Sequence, residues 1–106
     1  MSRPPIHFGS GADAEHQLSR IAQVRTMVGG LAGARDAPAA PPNIAPRYDA
    51  APPVVQRRFD ALADETAAWA ATGIRALVAA GQAPAAAAAL HVELRRAEAR
   101  LTALLA

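Results

Sequence analysis

Six prolines and three glycines fall within residues 29–53, and that clustering limits where long helices can form. Proline lacks the amide that closes a helical turn and biases the residue before it toward extended backbone. The stretch "GARDAPAAPPNIAPRYDAAPP" therefore reads as part of an extended, flexible Pro/Gly-rich linker over residues 29–52. Ile44 and Tyr48 are the only sizeable apolar residues of that quoted stretch. They either anchor it onto neighbouring helices or lie exposed. Residues 1–12 carry Pro4, Pro5, Gly9 and Gly11 and read as an irregular N-terminus.

The segments on either side have helical signals. Asp13 can cap a helix over residues 13–28 that stops at Gly29-Gly30. On that helix Ala14, Leu18, Ile21, Val24 and Val28 share one side. Pro53 suits a first-turn position, and Gly81 is a natural stop, which predicts a helix over residues 53–80. Val55, Phe59, Leu62, Thr66, Trp69, Gly73 and Leu77 fall within about 80° of one another on a helical wheel. Arg57, Arg58, Asp60, Asp64, Glu65 and Arg75 take the opposite half. Gly73 lies within the apolar stripe, where a neighbour could approach closely. Pro84 can open a third helix over residues 84–105. The short connection "GQAP" makes it an antiparallel neighbour. The expected fold class is all-α: an N-terminal helix, a Pro/Gly-rich linker and a C-terminal antiparallel helical hairpin over residues 53–106.

Composition limits how such a hairpin can be stable. Thirty of the 106 residues are alanine. Each buries little area, at roughly 25 cal/mol per Å², against an ordering cost of about 1–2 kcal/mol per residue. A core this thin must gain area elsewhere, and a second chain is one source. In the last helix Ala87, Leu90, Leu94, Ala97, Leu101 and Leu104 are spaced 3, 4, 3, 4, 3, a short heptad seam of the coiled-coil kind. If that helix pairs with a copy of itself, an antiparallel arrangement places Glu93 near Arg100, whereas a parallel one opposes Glu93 to Glu98.

Several function classes find no support. The chain has eleven arginines, no lysine and a net charge of +2, without the clustered basic face of a nucleic-acid binder. Arg57-Arg58 and Arg95-Arg96 could touch phosphates, but the chain has four aromatic residues for stacking on single strands. The absence of cysteine removes disulfides and thiolate zinc sites. His7, His16 and His91 have no second histidine at ligand spacing. Asp13 and His16 lie one helical turn apart and read as a cap beside a solvated imidazole. Asp60, Asp64 and Glu65 share a face with Arg57 and Arg58 and read as solvated surface rather than as paired acids. Gly29-Gly30-Leu31-Ala32-Gly33 follows a helix and lacks the Lys-Ser/Thr of a phosphate loop. No catalytic residue, metal or cofactor is expected.

The N-terminus has no apolar signal region, and no run approaches the ~20 residues of a membrane span. A cytoplasmic protein without membrane contact is expected. Its alanine- and arginine-rich, lysine-free composition fits a GC-rich bacterial genome.

Trp69 sits in the middle of the apolar stripe and must bury against something. It is either hairpin core or an anchor for a partner helix. The expected role is non-enzymatic: a small adaptor, regulator or assembly accessory acting by helix–helix recognition of a protein partner or of itself. Phe59, Leu62, Trp69, Leu90, Leu94, Leu101 and Leu104 are the candidate partner-binding residues. A nucleic-acid-associated regulator using its arginines, or a structural subunit of a larger assembly, are the alternatives.

Overall fold

A computed structural model describes residues 7–34 and 43–106. Among the described residues the chain is all-α, with four helices and no strand. Helix α1 spans Gly11–Leu31, α2 Ala45–Ala50, α3 Pro53–Ala79 and α4 Pro84–Leu104. Residues 1–6 of the expected irregular N-terminus, and residues 35–42 of the expected linker, lie outside the described residues.

Helix α1 is longer than its sequence signals suggest. Ser10, not Asp13, is the N-cap: its backbone is extended, and its hydroxyl accepts from the Asp13 amide at 3.2 Å. Gly29 and Gly30 do not stop the helix. The stop comes at Gly33, whose φ of +79° is in the left-handed region, with the Ala34 amide donating to the Gly29 carbonyl at 2.8 Å. A glycine within a helix costs about 1 kcal/mol against alanine, so two of them weaken the helix without ending it.

The linker is narrower than expected over 29–52, because residues 29–31 belong to α1 and residues 45–50 form α2. Pro46 does not prevent this short helix. It lies in the first turn, where the missing amide would have had no intrahelical partner. Ile44 and Tyr48 are buried, at 3% and 0% exposure, so this segment is anchored rather than loose. Ile44, the N-cap of α2, has no capping side chain. Its cap comes from α1 instead: Glu15 accepts from the amides of Ile44 at 2.9 Å and Ala45 at 3.4 Å. Asp49 of α2 in turn accepts from the Gly11 amide at 2.7 Å. Each helix thus satisfies start-of-helix donors of the other. Their backbones touch as well, since a Cβ at Gly11 would run into the backbone of Ala45.

The hairpin of α3 and α4 forms with the expected turn. Gly81 and Gln82 both take positive φ, and the Gln82 amide closes onto the Leu77 carbonyl at 2.8 Å. Gly73 is the close-approach point of the hairpin, where an added Cβ would lie 2.9 Å from a methyl carbon of Leu90. Helix α4 packs more extensively on α1 than on α3. Ala14, Leu18, Ile21 and Val28 of α1 join Phe59, Ala63, Leu77, Ala87, Leu94 and Leu101 in one core. Arg25, at the edge of the α1 stripe, reaches α4 and donates to Glu98 at 2.7 Å.

Candidate interaction surface

The three long helices leave a groove between each pair. The α1–α4 groove is lined by Arg25, Arg95, Glu98 and Thr102 among others. The α1–α3 groove is mostly apolar, with Ile21, Val24, Ala67, Ala70 and Ile74 on its walls. The α3–α4 groove has a volume of about 330 Å³ and is lined by α3 and α4 residues alone. It therefore lies away from α1. Leu62, Thr66 and Trp69 enter it from α3, and Glu93, Ala97 and Arg100 from α4.

The candidate partner-binding residues divide along this geometry. Phe59, Leu94 and Leu101 are fully buried, and Leu90 is 9% exposed. Together with Ala87 and Ala97 they spend most of the heptad seam inside the chain. Leu62, Trp69 and Leu104 are only partly buried, packed on the rim of the core. Leu62 and Trp69 line the α3–α4 groove, whereas Leu104 lies near Val55 in a separate depression. Trp69 is thus neither a sealed core residue nor a free one. The hydroxyl of Thr66 beside it is satisfied by the Leu62 carbonyl at 2.7 Å.

Asp60 corrects the wheel reading. Placed on the solvated half of α3 by sequence, it is 0% exposed. Its carboxylate accepts from the Tyr48 hydroxyl at 2.8 and 3.1 Å, from His7 Nδ1 at 2.7 Å and from the Phe8 amide at 3.3 Å. The rings of Phe8 and Tyr48 pack edge-on against Phe59, at centroid distances of 6.3 and 5.7 Å. Burial, followed by the hydrogen bond to Asp60 and its negative charge, pushes the Tyr48 hydroxyl well above the ordinary tyrosine range. A wheel drawn from α3 alone cannot show this, because the covering residues come from α2 and the N-terminal segment. Tyr48, the single tyrosine, amid prolines was the one available signal.

An Asp–His pair could orient an imidazole for acid–base work. Among the described residues, however, no hydroxyl or amine bridges onward from His7. The pair ties residues 7 and 8 to α3. His91 is buried, at 7% exposure. No group of three His, Asp or Glu side chains gathers at metal-binding distance among the described residues. Of the two adjacent arginine pairs, Arg95 and Arg96 diverge, with Arg95 in the α1–α4 groove and Arg96 in the α3–α4 groove. No helix among the described residues is long and apolar enough to cross a membrane. No known family model matches the chain, nor does any curated protein or solved structure.

Proposed function

We propose that this chain is a non-enzymatic, bacterial, cytoplasmic interaction protein, an adaptor or assembly accessory that recognises a helical partner through the α3–α4 groove. The observation that carries this reading is Trp69. It is the largest side chain of the α3 stripe, yet it stays partly exposed in a groove ringed by charge. An aromatic residue in that setting gains burial when a partner docks over the groove, and tryptophan is enriched among residues that dominate binding energy.

The test is site-directed photo-crosslinking in cells that express the chain natively. A photoreactive residue at position 96, in the groove, is compared with one at Gln23, exposed on α1. Adducts should form from position 96, map to a helical segment of the captured chain, and vanish on Trp69→Ala. Equal labelling from both positions, or adducts indifferent to Trp69, would overturn the reading.

A further inference from the structure

We infer that the occupant of the α3–α4 groove is a second copy of this chain, stacked antiparallel on the face away from α1. This rests on the helix-recognition reading above and commits it to one partner.

The shortest dimension of the fold is 17 Å, the depth of two helical layers with axes about 8–10 Å apart. One layer is α1, and the other is the hairpin, whose far face carries the groove. Glu65, Glu93, Arg96 and Arg100 line it, all four exposed. None of the four has an ion-pair partner among the described residues. Two carboxylates and two guanidiniums give the groove no net charge. A groove that carries both signs suits a partner that itself carries both, as a second copy does.

The spacing also fits a two-fold axis. Leu62 and Trp69 stand seven residues apart on α3, and Glu93 and Arg100 seven apart on α4, each about 10 Å or two turns. All four side chains line the same groove. An axis crossing both helices at the middle of these spans lays each helix antiparallel on its own copy. Trp69 then covers Leu62 of the second copy, and Glu93 faces Arg100 of the second copy, with every contact made twice. Glu65 and Arg96 lie nearest the axis, where each faces its own counterpart, so the complementary charge contact of this arrangement is Glu93 with Arg100.

A charge swap tests this on the full chain by sedimentation velocity. The wild type should dimerise with rising concentration, with a blue shift of Trp69 emission that follows the dimer fraction. Added salt should weaken it. Glu93→Arg and Arg100→Glu each bring like charges together at both equivalent contacts, and each should raise the dissociation constant at least about tenfold. Both positions are exposed, and circular dichroism should show unchanged helicity. Mixing the two variants restores opposite signs at both contacts, and the mixture should return to within about threefold of the wild type. A wild type still monomeric at about 100 µM, or a mixture no tighter than its separate components, would overturn the inference. A monomeric wild type that still gives Trp69-dependent adducts from position 96 would refute the second copy alone and leave helix recognition standing.

Discussion

Alkaline pH should destabilise this protein through one residue. Tyr48 is the single tyrosine, and the chain has no lysine and no cysteine, so no other side chain titrates between about pH 8.5 and 11. The Tyr48 hydroxyl is buried and donates to Asp60, and both effects hold it neutral in the folded state. In the unfolded chain it ionises near pH 10. A folded-state pKa raised above the unfolded one gives a contribution that is complete below the unfolded value and is lost as pH rises past it. Above about pH 10 the slope is about −1.4 kcal/mol per pH unit, with a cumulative loss of about 1.4 kcal/mol by pH 11. Urea unfolding followed by circular dichroism at steps from pH 8 to 11 measures it, and tyrosinate absorbance reports when the hydroxyl ionises. In Tyr48→Phe the slope should disappear. That variant should also be weaker at pH 8 by about 1.5–3 kcal/mol, for the lost hydrogen bond to a buried carboxylate. Parallel pH profiles of wild type and Tyr48→Phe, or a tyrosinate signal near pH 10 with the helices intact, would refute the reasoning.

Gly11→Ala should destabilise the fold by more than its gain in helix propensity of about 1 kcal/mol, because the new Cβ meets the rigid backbone of Ala45; a raised melting temperature would count against that contact. Leu94→Ala should cost about 2–5 kcal/mol, because Leu94 is fully buried within the single chain, and the loss in urea should not depend on protein concentration. Trp69→Ala should cost less than the about 3–5 kcal/mol of a fully buried aromatic and leave a helical protein, because Trp69 is only partly buried; outright unfolding would place it in the core.

Much of this architecture is local and was legible in the chain. Helical periodicity and end signals act over three to five residues, so Pro84, Gly81 and the Phe59–Leu77 stripe located the hairpin and its turn. The fully buried Leu94 and Leu101 are likewise where a 3–4 spacing puts them. What a seam packs against is not local. The Leu90–Leu101 seam needed an apolar neighbour of any origin, and only the tertiary fold supplied α1 from the same chain as its larger contact. The same holds for α2, whose cap comes from Glu15, 29 and 30 residues earlier in the chain. Asp60 is the clearest case: its donors lie 12, 52 and 53 residues away. A carboxylate on the polar side of a wheel is solvated unless another segment covers it, and that covering exists only once the N-terminal segment and α2 have folded over α3.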